Sequence, residues 1–218
     1  MRSGWRGARV RKTGMGTERS IAAAAGLARE PAEGLLVLGF CGGLDARARP
    51  GEVIVATEVY SATDEGHAPV RVRCPHAEPL ATALQAGGLD VRSGPMVCVS
   101  KIAVGERREQ LLADGALAVE MESVWLAAGA AGRSLNVVRV VLDSPSHELM
   151  RPHAVFSAVR AARALRTVAR ELRGWAPSHV RPHFAHTAGA GAGAGAAGTR
   201  IHPGACDQTG LHDRSSPG

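Results

Sequence analysis

Asp143 closes the run Leu135-Asn-Val-Val-Arg-Val-Val-Leu142, the most strand-like stretch of the chain. A carboxylate at the mouth of a buried strand is half desolvated, which raises a carboxyl pKa and suits it to general-acid chemistry. Asp-Ser-Pro also reads as a capped turn, so type and spacing leave residue 143 open between an acid and a cap. Glu120 and Glu122 flank Met121 at a strand-to-helix junction. Carboxylates at a helix start complement its dipole, and that structural role is the default for the pair. If the helix opens onto a ligand crevice, one of them can instead hold the paired hydroxyls of a sugar. Gly14, Gly16, Gly42 and Gly43 mark two turns. Backbone N–H groups in such turns can hold phosphate, although a lone GxG or GG is more often only a turn.

Other chemistries find no motif. The chain has no GxxxxGK[ST] and no GxGxxG in a strand–turn–helix setting, which disfavours triphosphate and dinucleotide sites. It has no GxSxG of the kind that carries a hydrolase serine. Cys41, Cys74, Cys98 and Cys206 form no CxxC pair, and three lie in or beside apolar runs, so buried free thiols and no metal site are expected.

The elements that must position these residues alternate between strand and helix. Ala8–Val10 reads as a strand stub before the turn Thr13-Gly-Met-Gly16, and helical composition follows over Glu18–Ala28. Strands are expected at Gly34–Gly39, Glu52–Val59, Gly94–Val99, Gly115–Val119 and Leu135–Leu142. Helices are expected at Pro79–Ala86, Glu106–Ala113, Glu122–Ala131 and Arg151–Trp175. This order predicts an α/β fold with a mainly parallel sheet, in which ligands bind beyond the carboxyl ends of the strands. The glycines after Leu38, the acidic pair after Val119 and Asp143 would then converge on one crevice.

The 218 residues suffice for one core, which is expected over 1–175. Residues 176–218, with Gly189-Ala-Gly-Ala-Gly-Ala-Gly195, read as a disordered low-complexity tail. There His179, His183 and His186 have helical metal spacing, but Pro177 and Pro182 argue against the helix. The net charge of +6 is uneven: residues 20–150 carry eleven basic and sixteen acidic side chains, and the ends are basic. An acidic body with few aromatics argues against a nucleic-acid partner. No apolar run has membrane-spanning length and no signal peptide is visible, so a cytoplasmic location is expected.

Four segments together resemble the nucleoside phosphorylase/nucleosidase superfamily. They are Thr13-Gly-Met-Gly16; Gly39-Phe-Cys-Gly-Gly-Leu-Asp45 with Pro50-Gly-Glu-Val-Ile-Val55; Ala118-Val-Glu-Met-Glu-Ser123; and Val138-Arg-Val-Val-Leu-Asp143. Each is weak alone, and the four fall in the family's order across residues 10–170. Val-Glu-Met-Glu-Ser and Arg-Val-Val-Leu-Asp are most similar to the hopanoid-associated branch, thought to remove adenine from adenosylhopane. Methylthioadenosine/adenosylhomocysteine nucleosidases and futalosine hydrolases are close alternatives, and a truncated, non-catalytic nucleoside binder is another.

The resemblance implies a three-layer, Rossmann-like fold and cleavage of a purine N-glycosidic bond. It gives Asp143 the role of hydrogen-bonding or protonating purine N7, with Leu142 and Ser144 beside it. It gives Glu122 the ribose hydroxyls and Met121 the packing against the sugar. Phe40, Cys41 and Gly42 would line the base and nucleophile region, and Val99 and Ser100 would contact the base. Gly14 and Gly16 are the candidate phosphate turn. No cofactor is implied, and inorganic phosphate is a candidate co-substrate beside water. The partner would be a small or lipid-linked nucleoside, and the chain a homo-oligomer. The family carries a full strand before the Gly-Met-Gly turn, and its hydrolases draw a water-activating Glu from that region. Only nine residues precede Val10, none acidic, so the N-terminal strand is expected to be truncated.

Arg160, Arg163, Arg166, Arg170 and Arg173 recur at helical steps, with Val155, Val159, Ala162, Leu165, Val168 and Leu172 free to pack the other side. A solvated outer helix is the default expectation, and peripheral docking on anionic lipid is the sharper one.

Overall fold

The computed structural model describes residues 9–62, 68–147 and 154–173. Helix α1 (Thr17–Leu27) leads to strands β1 (Gly34–Gly43), β2 (Val53–Ser61) and β3 (Arg71–Arg73). Helix α2 (Ala77–Ala86), strand β4 (Val91–Cys98), helix α3 (Glu106–Ala113) and the short strand β5 (Ala118–Glu120) follow. The single turn α4 (Ser123–Leu126) continues as a 3-10 turn over Ala127–Ala130, before strand β6 (Ser134–Asp143) and helix α5 (Ala154–Glu171).

The fold is mixed α/β, as expected, with a mixed sheet in the order β3-β2-β4-β5-β1-β6. The long ladders, β1–β6 and β2–β4, are parallel, whereas β1–β5, β2–β3 and β2–β6 are short and antiparallel. Because β2 pairs with both β4 and β6, the sheet curls closed, which residue patterning did not anticipate. The turn at Gly51 (φ +92°) makes the seam: its N–H donates to the Val141 carbonyl at 2.8 Å, and the Val141 N–H donates to Glu52 at 2.8 Å.

Side-chain alternation explains why β6 is apolar on both faces. Val137 and Val141 join Val37, Cys41, Ile54 and Met96 in one buried cluster. Val138 and Val140 face the other way, onto Leu80 and Leu84 of α2 and Val168 and Leu172 of α5. Each of these fully buried leucines contributes about 1.5–3 kcal/mol of transfer free energy.

Several expectations need correction. Phe40, Cys41, Gly42 and Gly43 are not a turn but the end of β1. Arg9 and Val10 form no strand; Arg9 and Arg11 both reach Glu30 at 2.6 Å, the same-side geometry of extended chain with no ladder beside it. Val155 and Val159 do not pack, because Ala161, Ala164, Leu165, Val168 and Leu172 supply the buried side of α5. The three described cysteines, Cys41, Cys74 and Cys98, are buried free thiols, and burial pushes Cys74 up to about 12. Residues 174–218, with the Gly-Ala repeat, the three spaced histidines and Cys206, lie outside the described residues, as do Arg151 and Ala8. Among the described residues no helix is long and apolar enough to cross a membrane.

Candidate functional site

A buried carboxylate–guanidinium centre organises the acidic pair. β5 is three residues long and antiparallel to β1, with Val119 opposite Gly42 and Ala118 opposite Gly43. The chain after β5 is therefore carried back along β1 toward Gly39, while on its other side β5 runs parallel to β4 and Glu120 stands opposite Cys98, at the carboxyl end of that strand, as expected. Glu120, with its side chain 1% exposed, pairs with Arg139 of β6. It also accepts hydrogen bonds from the N–H groups of Glu122 and Ser123 and the Ser123 hydroxyl, each at 3.0 Å, and from the Cys98 thiol. A carboxylate taken this far from water needs such donors. Burial would lower the Arg139 pKa, but Glu120 and Glu122 outweigh it and hold the guanidinium above its ordinary value.

Glu122 stands at the edge of this centre. Its carboxylate lies 3.1 Å from Arg139 Nη2 and accepts the Gly16 N–H at 3.2 Å. Gly16 (φ +95°) precedes α1, so the amide it offers is one of the unpaired donors of a helix start. In this structure the anion that the Gly16 amide serves is thus a carboxylate. Burial raises the Glu122 pKa above the usual carboxylate range; Glu120 adds to this, while Arg139 and the Gly16 amide oppose it.

Asp143 is aimed by a bulge. Cys41 pairs with Val141, yet Gly42 pairs with Asp143, so Leu142 is the extra residue of the ladder. A bulge re-aims the side chain that follows it. Here the Asp143 carboxylate is turned to the Gly42 side of β1, where a methyl on Gly42 would lie 3.3 Å from Asp143 Oδ1 and 2.9 Å from Arg108 Nη2. Arg108 of α3 pairs with Asp143, and its Nε donates to the Ala103 carbonyl at 2.9 Å. Both side chains are largely buried.

The two carboxylates therefore flank the end of one strand. Arg139, with Glu122 against it, lies over Gly39 and donates to the Phe40 carbonyl at 3.4 Å; Asp143 lies at Gly42. Those glycines are three steps apart along the strand, about 10 Å. Cys41 stands between, close enough that Arg139, Glu120 and Asp143 all act on its thiol electrostatically, although burial is what chiefly raises it. Phe40 is partly exposed on the Gly42 side of the strand. Met121 is half-buried against the cluster of Val97, Val99 and Val119. Val99 is buried and its N–H donates to the Glu120 carbonyl at 2.9 Å; Ser100 is exposed just beyond. Gly14 (φ +84°) is exposed on the turn before Gly16.

Two residues of this arrangement were missed in the sequence. Arg139 had a signal: it is the one charge inside Leu135–Leu142, and a charge in a buried strand requires a partner. Arg108 had none, since Glu106-Arg-Arg-Glu109 reads as an exposed helix face.

Comparison with known proteins bears on the whole fold. Residues 8–172 match the family model described as the phosphorylase superfamily. No curated protein matches the sequence significantly. Among solved structures, a 5'-methylthioadenosine/S-adenosylhomocysteine nucleosidase from Helicobacter pylori, bound to butyl-thio-DADMe-Immucillin-A, superposes with a TM-score of 0.59 at 17% identity, over 74% of this chain and 76% of that one. An S-adenosylhomocysteine nucleosidase from Streptococcus pyogenes, in complex with 5-methylthiotubericidin, gives 0.56 at 22% identity over 73% and 77%. The futalosine hydrolase of Helicobacter pylori gives 0.57 at 18% identity over 73% and 78%. At these identities the superpositions establish a shared fold, and the family model spans most of the chain. This chain belongs to the phosphorylase superfamily.

Proposed function

We propose that the chain cleaves the N-glycosidic bond of a purine nucleoside. The observation that carries this reading is the pair of carboxylates flanking the end of β1, one fixed by Arg139 and Gly16, the other by Arg108 and the bulge. Glu122 accepts hydrogen bonds from the ribose hydroxyls and, when ionised, stabilises the positive charge that builds on the sugar as the bond breaks. Asp143 hydrogen-bonds or protonates purine N7, which makes the base a better leaving group. Met121 packs against the sugar, while Phe40, Cys41, Gly42, Val99 and Ser100 contribute to the base and nucleophile region. The partly exposed Phe40 ring offers an apolar face to a base.

The finer reading is removal of adenine from a lipid-linked nucleoside, adenosylhopane. It rests on the Val-Glu-Met-Glu-Ser and Arg-Val-Val-Leu-Asp segments. The alternative substrates are methylthioadenosine, adenosylhomocysteine or futalosine, in keeping with what the superposing nucleosidases are named for. Adenine release from methylthioadenosine and from adenosylhopane in detergent, each with and without phosphate, separates these readings. Turnover confined to the lipid-linked substrate supports the finer one. Formation of a sugar phosphate assigns the nucleophile to phosphate; free sugar assigns it to water. No base released from any of these nucleosides would overturn the proposal and leave a nucleoside-binding protein.

A further inference from the structure

The outward face of α5 carries two features that belong together. Ala161, Val168 and Leu172 are fully buried against the sheet. At 3.6 residues per turn the opposite side is occupied by Phe156, Val159, Arg163, Arg166 and Arg170, in a stripe about 80° wide. The three arginines are exposed. Phe156 is 77% exposed and Val159 44%, and Val155 on the flank is 70% exposed. Arg173 is exposed just past the helix end. Arg160 belongs to the edge of the stripe, because its side chain packs against Gly51. The one acidic residue of α5, Glu171, points away and lies against Gly87.

We infer that this face docks on the surface of an anionic lipid bilayer. Exposed arginines alone fit any polyanion. The same stripe also exposes a phenylalanine and valines, which an aqueous surface or a phosphodiester backbone gives no reason to present. A helix with basic and apolar groups on its free side lies in the bilayer interface, with phosphates paired to the arginines and the apolar groups sunk below the headgroups. Arginine suits the task because its planar guanidinium binds phosphate through two N–H groups at once. The inference does not depend on the glycosidic reading, since no residue of the stripe belongs to the candidate site.

Flotation of the full chain with vesicles tests it. One set is phosphatidylcholine; in the other, part of it is replaced by phosphatidylserine. The chain is expected to float with the anionic vesicles only. Each arginine contributes about fivefold to partitioning, so R163E/R166E/R170E loses about a hundredfold or more. The same change of charge at other exposed positions, R29E/R47E/R73E, retains most of the binding. F156S/V159S weakens it about tenfold and makes the remainder more sensitive to salt. All these positions are exposed, and thermal melting at the wild-type temperature verifies the fold. Equal flotation with neutral vesicles, or wild-type binding by R163E/R166E/R170E, would overturn the inference. So would F156S/V159S floating as wild type while a single-stranded oligonucleotide displaces the chain, which would make the stripe a nucleic-acid site. A fall in solution mass on F156S/V159S with flotation unchanged would instead make it an interface between copies, and would also overturn it.

Discussion

The guanidinium of Arg139 lies across Gly39 so closely that a methyl at residue 39 would stand 2.3 Å from Nη1. Glycine is required there by that crossing and not by a turn. Gly39→Ala has to displace a guanidinium held by Glu120 and Glu122. Catalytic efficiency should fall through KM, because Glu122 loses the group that orients it, with about 1–3 kcal/mol of lost stability. Steady-state kinetics and a denaturant titration measure the two effects. A Gly39→Ala chain with wild-type KM would show that Arg139 does not position Glu122.

Glu122 gives a pH prediction with a definite sign. Its pKa in the folded chain is raised above the ordinary 4.5, chiefly by burial. The folded state therefore binds its proton at pH values where the unfolded chain has released it, and stability falls as pH rises through that interval. Glu122→Gln removes this cost. It should melt higher than wild type near neutral pH, with the difference shrinking as pH approaches the ordinary carboxylate value. The wild-type kcat/KM should lose activity on the acid side at a pH above that value, since the sugar hydroxyls need an ionised acceptor. Melting curves and pH–rate profiles over the acid range check both.

The Arg108–Asp143 pair is largely buried, so removing one partner strands the other. Arg108→Met should cost about 3 kcal/mol or more. The double variant Arg108→Met/Asp143→Asn should be less destabilised than the sum of the two single changes. A double-mutant cycle by chemical denaturation gives the coupling, and strict additivity would mean the pair does not interact in solution.

Glu120 is the structural member of the acidic pair. Glu120→Gln leaves Arg139 with Glu122 alone and weakens the acceptor for Ser123. The expected loss is about 3–5 kcal/mol, larger than for any change at Glu122. Thermal melting of the two glutamine variants side by side ranks them.

Much of this architecture was legible in the residues. Helix α3 spans Glu106–Ala113, the range its residues predict, and the buried strand before Asp143 announces itself as an apolar run. Gly39–Gly43 misled because glycines without side chains look like a turn. They are strand residues kept small by what crosses them: Arg139 at Gly39, Arg108 at Gly42, and Ala48, 2.3 Å from a methyl on Gly43. The antiparallel pairing of β5 with β1, beside its parallel pairing with β4, was invisible, since three residues carry no periodicity that betrays direction. The bulge at Leu142 was equally silent, because the apolar run continues through it. Which face an acid occupies depends on such one-residue slips.

The most direct test of the glycosidic reading is the rate of adenine release from a 5'-substituted adenosine by the full chain and by Asp143→Asn. Circular dichroism verifies that the variant is folded. The account predicts measurable release by the wild type and a loss of about a hundredfold or more in kcat on replacing the acid. Equal rates for the two folded proteins would contradict it, because the carboxylate assigned to the base would then take no part in breaking the bond.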